Sequence, residues 1–370
     1  MNICIVVGAR PNFVKAAPII RAVQAARQKG EIINGELVFA GSEDDKSIEP
    51  SLFNDLMMPH PDTYLGADSD NLNELTGMVM SKFEQYLDQH PTDVVIVVDD
   101  LASTMAASIV AKKRGLLLAH LVAGTRSFDI TMPKEVNRLV IDGLSDLLFT
   151  AGVSGNSTAT REGAGQEKIY MVGNILIDSL RHNRQRMVRP AILDSLGLTD
   201  GNYLVFTLNR HALISDVSNL RAMLHAVINA AGQTHIIAPL RGQSAQAVKS
   251  ILSEESCTST HFHVTDAMSY LEFGYLSAHA KGIITDSGNV AEEATFNSVP
   301  CITLNSYTEH AETVRQGTNV LVGENADILG EKTAEMVRGK WKNSTLPDRW
   351  DGRSAERIVQ ILTDVYATRH

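Results

Sequence analysis

Three shortages in this chain each remove a class of function. Cysteine is the first: Cys4, Cys257 and Cys301 are scattered over 370 residues with no CxxC spacing. An odd, scattered set is neither a disulfide framework nor a zinc site, and it suits a reducing compartment. Positive charge is the second. Lys plus Arg is 33 against 43 for Asp plus Glu, a net charge of -10. A chain this acidic has no general electrostatic reason to bind nucleic acid or an anionic membrane. Long apolar runs are the third. The clean ones, such as Val94 to Val98, fall far short of the ~20 residues of a membrane span. Low-complexity tracts are missing as well, and no GxGxxG follows the first apolar run, so a nicotinamide cofactor is not indicated.

What is present is ordinary globular composition, 44% hydrophobic and 21% charged. At ~150 residues per domain the length predicts two or three domains. The start, Met1-Asn2-Ile3-Cys4-Ile5-Val6-Val7-Gly8, reads as a first strand and not a signal peptide, so a cytoplasmic protein is expected. Short β-branched runs alternate with longer amphipathic ones. Strands are expected at Ile3–Val7, Leu37–Ala40, Val94–Val98, Leu116–Leu121, Leu147–Thr150 and Ile169–Val172. A second series covers Tyr203–Thr207, Thr234–Ala238, His261–Val264, Gly282–Thr285 and Cys301–Leu304. Apolar strands without alternation are covered on both faces, which means parallel sheets in βα units. The rhythm pauses near 174–200, where Arg181–Arg189 holds four Arg and a His. The fold class is therefore α/β: two Rossmann-like, doubly wound parallel-sheet domains. Their expected spans are 1–175 and 176–352, with an amphipathic C-terminal helix in 353–370. Ligands of such sheets bind beyond the carboxyl ends of the strands, so a central cleft between the two halves is the expected site.

Chemistry should then sit just after the strands. Gly8-Ala9-Arg10-Pro11-Asn12 opens a helix that carries Lys15. A helix start favours an anion, and Arg10 can grip a phosphate with two donors. Thr285-Asp286-Ser287-Gly288-Asn289 is the second such junction, with Asn289 and Glu292 at N-cap and capping-box spacing. There the Ser287 hydroxyl and neighbouring amides could hold a second phosphate, and Glu293 could accept from ribose hydroxyls. Asp99 and Asp100 end the third strand and could bind metal or do acid/base work. His120 reads most simply as a satisfied core histidine. His261 and His263 share a strand face, but no third ligand is placed beside them, so no metal site is expected.

These segments together resemble the non-hydrolysing UDP-N-acetylglucosamine 2-epimerases, nearly end to end. Gly8-Ala9-Arg10-Pro11 with Lys15 and Pro18 looks like that family's GTRP opening. Ala123-Gly124-Thr125-Arg126, Glu135-Val136-Asn137-Arg138, Gly173-Asn174-Ile175-Leu176-Ile177-Asp178 and Thr285-Asp286-Ser287-Gly288 also fit. So do Glu292-Glu293-Ala294, Thr308-Glu309, and Ala355-Glu356-Arg357-Ile358 near the end.

The resemblance implies the glycosyltransferase B fold, with the C-terminal helix crossing back to the first domain, and no cofactor. It implies a homodimer that serves cell-surface polysaccharide biosynthesis. Its chemistry is removal of UDP to give a glycal, then return with C2 inverted. It places Arg10, Ser287 and Gly288 around the phosphates, Glu293 at the ribose, and Tyr270 and Phe273 beside the uracil, with Lys15 and Asn289 as further substrate-binding candidates. Asn209, Arg210 and Arg241 fall on further substrate-facing positions, with Arg241 at the histidine of the family's PVH.NP motif. Asp100 matches the family's aspartate in HGDT. The proton-handling positions differ: Val122, Lys134 and Asn209 stand where the family has Glu, Glu and His. Valine cannot transfer a proton and asparagine cannot titrate. The catalytic candidates are thus Asp100, Asp99, Glu135 and His211. UDP or a UDP-N-acetylhexosamine is the expected partner, with ordinary 2-epimerase activity low or absent. The alternatives are a non-catalytic UDP-binding or regulatory homologue, or other nucleotide-sugar chemistry or glycosyl transfer on the same fold.

Overall fold

The computed structural model describes residues 1–254 and 259–369; Cys257 lies outside the described residues. The chain divides into two compact units, Met1–His182 with Asp348–His370, and Asn183–Pro347.

The first unit holds a seven-stranded parallel sheet. Its strands are β1 (Asn2–Val7), β2 (Asn34–Phe39), β3 (Thr63–Tyr64), β4 (Val94–Val98), β5 (Leu117–Leu121), β6 (Leu147–Thr150) and β7 (Ile169–Met171). Their spatial order is β3-β2-β1-β4-β5-β6-β7. β1 and β4 lie at the middle, in register from Ile3 beside Val94 to Val6 beside Val97. Every residue of β4 is buried, as expected of a strand covered by helices on both faces. The order reverses between β1 and β4, so this is the topological switch point, where open α/β sheets bind ligands.

The second unit repeats the plan with six parallel strands: β8 (Tyr203–Phe206), β9 (His235–Pro239), β10 (Phe262–Thr265), β11 (Gly282–Thr285), β12 (Cys301–Thr303) and β13 (Asn319–Leu321). The order β10-β9-β8-β11-β12-β13 puts its switch point between β8 and β11. The core on one face of this sheet includes Phe206, Leu224, Ile236, Ile284 and Leu304, all buried.

Two strands go beyond the eleven that the pattern predicts, β3 and β13. They have two and three residues and sit at sheet edges. Edge strands this short show no alternation to read. The C-terminal helix Ser354–Arg369 belongs to the first unit. Its first amides, from Ser354 and Ala355, donate to Asp178 at 3.1 and 2.8 Å, and Asp178 itself is buried. A carboxylate at a helix start satisfies orphan amides and complements the dipole. Within helix Arg10–Gln28, Pro18 cannot donate to the carbonyl of Val14. The Ser179 hydroxyl takes that carbonyl instead, at 2.6 Å.

Candidate functional site

The first switch point is closed by its own side chains. Asn12 lies in the first turn of helix Arg10–Gln28, and its Oδ1 accepts the amides of Gly8 (2.9 Å) and Ala9 (3.2 Å). Gly8 and Ala9 precede the first helical turn, so Asn12 fixes the strand-to-helix turn by accepting their amides. Asn12 Nδ2 then donates to Asp99 at 2.8 Å. The other Asp99 oxygen receives the Lys15 ammonium at 2.6 Å, and Lys15 is buried. Gly8 has no room for a side chain, because a Cβ there would meet Ser103 Oγ at 1.9 Å.

Asp99 and Asp100 follow one strand yet take different partners. Asp99 has φ +60°, a left-handed conformation that aspartate tolerates better than most residues. Asp100 turns to Arg138, whose Nε donates to it at 2.7 Å and whose second nitrogen lies at 2.5 Å. The Lys134 ammonium stands 3.7 Å from Asp100. Burial pushes the Asp100 carboxyl up, but Arg138, Lys134 and Lys15 outweigh it and hold it below its ordinary value.

Arg138 also reaches Glu135, one turn earlier in helix Pro133–Leu144, at 3.0 Å. Glu135 is buried, and it accepts the amides of Ser127 (2.9 Å) and Phe128 (3.0 Å) and the Ser127 hydroxyl (2.9 Å). Burial raises its carboxyl; these donors together with Arg138 bring it below its ordinary value. Glu135 thereby clamps the loop that carries Phe128 at φ +61°. Arg10 pairs with Glu49 at 2.5 Å. His120 is buried between Asp142 (2.5 Å) and the Asp99 carbonyl (3.0 Å), a satisfied core histidine as its sequence context suggests.

Val122, just beyond β5, has φ +73°. For a β-branched residue this is a strained conformation. Its carbonyl accepts the Thr125 hydroxyl at 3.0 Å.

The second switch point uses other means. Asp286 follows β11, and one of its oxygens accepts the amides of Asn209 (2.7 Å) and Arg210 (2.5 Å) from the turn after β8. The hydroxyls of Thr207 and Thr285 meet at 2.6 Å. Arg210 reaches Asn305 at 2.7 Å and pairs with Glu324, while its Nε is buried with no partner among the described residues. The helix Gly288–Phe296 starts two residues earlier than the capping-box spacing implies: Ser287, not Asn289, is the N-cap. Serine precedes a glycine that can sit against a neighbour, which favours the earlier start. The Ser287 hydroxyl lies 3.5 Å from the Val290 amide, a loose cap. Glu292 consequently turns to His310 at 2.8 Å, and a Cβ on Gly288 would strike that imidazole at 2.7 Å. Glu293 is buried one turn inside.

The other candidates of this unit lie on separate elements. His211 begins the helix His211–Ser215, exposed, with Nδ1 3.0 Å from Ser215 Oγ. Arg241 is exposed and stands at the N-cap position of helix Gly242–Leu252, without a side-chain cap bond. Tyr270 and Phe273 lie one turn apart on helix Tyr270–Ala278, whose start is fixed by a Ser269–Glu272 capping box. Phe273 also packs on the core that includes Leu276 and Val290.

Asn12, Arg138 and Asp286 organise these centres, yet residue type alone did not single them out. For Arg138 the signal was available, since it stands three residues after Glu135 on one helix.

The family model described as UDP-N-acetylglucosamine 2-epimerase matches residues 25–363. The UDP-N-acetylglucosamine 2-epimerase of Methanocaldococcus jannaschii is 32% identical over 98% of this chain and 99% of its own length. The UDP-2,3-diacetamido-2,3-dideoxy-D-glucuronate 2-epimerase of Pseudomonas aeruginosa is 31% identical, with 98% and 99% covered. The solved structure of the Methanocaldococcus jannaschii enzyme in complex with UDP-GlcNAc and UDP superposes with a TM-score of 0.82. It shares 31% identity and covers 98% of this chain and 100% of that one. Both sheets of the glycosyltransferase B type are accounted for by this likeness. The chain belongs to the non-hydrolysing UDP-N-acetylglucosamine 2-epimerase family.

Proposed function

We propose that this chain binds a UDP-N-acetylhexosamine and converts it to the C2 epimer slowly or not at all. The observation that carries the reading is Arg138, which holds Asp100 and Glu135 together as ionised carboxylates. A general acid or base needs an accessible lone pair or proton and a pKa near the working pH. Glu135 has its oxygens engaged by Ser127, Phe128 and Arg138, and Asp100 carries a guanidinium. Inverting C2 by elimination requires one group to remove a carbon-bound proton and another to return one to the opposite face. Each well-placed group contributes ~10²–10⁴ in rate. Val122 and Asn209 supply neither. In this reading Asp100 is the retained proton-handling position, weakened as a base by Arg138, with Asp99 and His211 as auxiliary groups. Arg10, Ser287, Gly288 and Asn289 serve the diphosphate with Arg210 and Arg241, Glu293 the ribose, and Tyr270 and Phe273 the base. The binding part is supported by the relative that was solved with UDP-GlcNAc and UDP.

A second reading, a UDP-binding homologue without turnover, is favoured by the same replacements. Proton NMR in deuterated water separates the two, because exchange at C2 of UDP-N-acetylglucosamine reveals proton abstraction even without net product. Slow exchange supports the first reading and none supports the second. Calorimetry that finds no UDP affinity sinks both. Robust turnover by the unmodified protein would overturn the low-activity part. The triple variant Val122→Glu, Lys134→Glu, Asn209→His is expected to turn over faster than the parent. The reading also includes a cytoplasmic homodimer, and light scattering that gives a monomer mass removes the dimer.

A further inference from the structure

At the carboxyl end of β1 and β4 the positive groups form one network. The amides of Gly8 and Ala9 go to Asn12, the Asn12 amide goes to Asp99, and the buried Lys15 ammonium goes to the other Asp99 oxygen. Amides at a helix start, a buried ammonium and a switch point between parallel strands are the elements of an anion-binding cradle. Here the ammonium's anion is a carboxylate of the chain itself, and the backbone amides are taken by the neutral Asn12 oxygen. The surrounding pairs balance: Arg10, Lys15, Lys134 and Arg138 meet Glu49, Asp99, Asp100 and Glu135.

The geometry points to Asp99 as a tethered counter-ion that fills the first unit's anion cradle and keeps Lys15 from phosphate-bearing ligands. Asp99 is thus a specificity-determining residue. It keeps a phosphate group off the Lys15 ammonium, while Arg10, paired with Glu49 and not with Asp99, stays with the diphosphate of the proposed function. Two features fit a carboxylate held there for its charge. Asp99, at φ +60°, pairs with Lys15, while Asp100 pairs with Arg138. Its side chain is 16% exposed, so it covers the ammonium, which is 6% exposed, and still meets solvent. An ammonium buried without a counter-ion would be costly, so the pair also stabilises the fold. This deepens the UDP-sugar reading by saying which end of the ligand is kept off Lys15, and it rests on that reading only for the ligand's identity.

The test uses inorganic pyrophosphate and full-length protein. Asparagine adopts the left-handed backbone as readily as aspartate, so Asp99→Asn keeps the turn and the bond to Asn12 while removing the charge. Titration calorimetry should show that Asp99→Asn binds pyrophosphate about tenfold more tightly than the parent, or gains a second binding event, as a new charge-assisted contact allows. Adding Lys15→Met should return binding to the parent level. Asp99→Gly, which also suits φ +60°, should behave as Asp99→Asn does and covers the case in which the asparagine variant does not fold. No gain in either single variant overturns the inference. So does a gain that survives the loss of Lys15. The parent's affinity for UDP decides the proposed function separately, because the Lys15-dependent gain is read with a probe that has no nucleoside.

Discussion

The two switch points do the same topological job with different chemistry. After β4, the turn residues are held by charged side chains: Lys15 on Asp99, Arg138 on Asp100 and Glu135. After β11, the turn is held by backbone amides on Asp286 and by a pair of threonine hydroxyls. At the first helix Asn12 holds the preceding amides of Gly8 and Ala9 at 2.9 and 3.2 Å; at the second Ser287 caps the first-turn amide of Val290 loosely, at 3.5 Å. The difference teaches where a diphosphate can be accepted. A junction whose charges are mutually neutralised offers an incoming anion little, while a loosely capped helix start keeps its partial positive charge available.

The contrast is broken most severely at Arg138. Buried beside two carboxylates, it is their shared counter-ion, and Arg138→Met leaves Asp100 with only Lys134 and Lys15 nearby and Glu135 with only the Ser127 and Phe128 donors. Removing one partner of a buried pair costs ~3–5 kcal/mol. Hydrogen exchange should speed up at the Ser127 and Phe128 amides, which Glu135 holds, while the second unit keeps its protection. Unchanged protection at those amides would mean that Glu135 keeps the loop without Arg138.

The matching cut in the second unit should cost less. Asp286→Ala leaves the amides of Asn209 and Arg210 without their acceptor, and hydrogen bonds to a charged group are worth ~1.5–3 kcal/mol each before water replaces them. Because these amides lie in a turn that water can reach, a net loss of ~1–2 kcal/mol is expected. Denaturant titration that shows a larger loss than Arg138→Met would reverse the ranking of the two switch points.

The contrast also explains how much of the molecule was legible in the sequence. Runs such as Val94–Val98 are apolar because both sheet faces are covered, so the strands, and with them the doubly wound plan, can be read from period and composition. The Gly8 and Gly288 junctions were legible for a similar local reason, since strand, glycine and helix start are neighbours in the chain. What the junctions hold was not. The sequence offers Lys15 and Arg10 as free cations, but Asp99 and Glu49 lie 84 and 39 residues away, and only the sheet brings them together. The Ser287 cap was missed by two residues because Asn289 and Ser287 are both good caps, and the turn around Asp286 decides between them. Left-handed Val122 could not be foreseen at all, since valine disfavours that conformation.

That strain gives a smaller effect of opposite sign. A non-glycine residue held left-handed costs ~1–2 kcal/mol, and Val122→Gly should recover part of it. A rise of ~0.5–1 kcal/mol in unfolding free energy is expected after the entropy that glycine adds to the unfolded chain. Loss of stability would show that packing by the half-buried Val122 side chain outweighs the strain in its backbone.

The smallest expected effect lies at the opposite end of the second sheet and sharpens the contrast between charged and neutral packing. His235 starts β9, and its Nδ1 lies 2.9 Å from Nε2 of His263 on β10, with the two rings stacked at 5.1 Å. His261 meets His235 edge-on at 4.8 Å. One shared hydrogen bond needs one donor and one acceptor nitrogen, and two imidazoliums have only donors. Burial lowers the pKa of both His235 and His263, and the neighbouring imidazoles lower them further. The folded protein therefore binds these protons less readily than the unfolded chain, where histidine titrates near 6.5. Stability from the pair is complete above that value and falls as pH drops below it, because the unfolded state then takes up more protons. Melting followed at pH 7.5 and at pH 5.5 should show the second unit losing more stability on acidification than His263→Gln does, since the variant removes one of the two titrating rings. An equal loss in parent and variant would assign the acid sensitivity to other groups. A steeper loss in the variant would mean that His263 protects His235 from protonation instead of sharing its hydrogen bond.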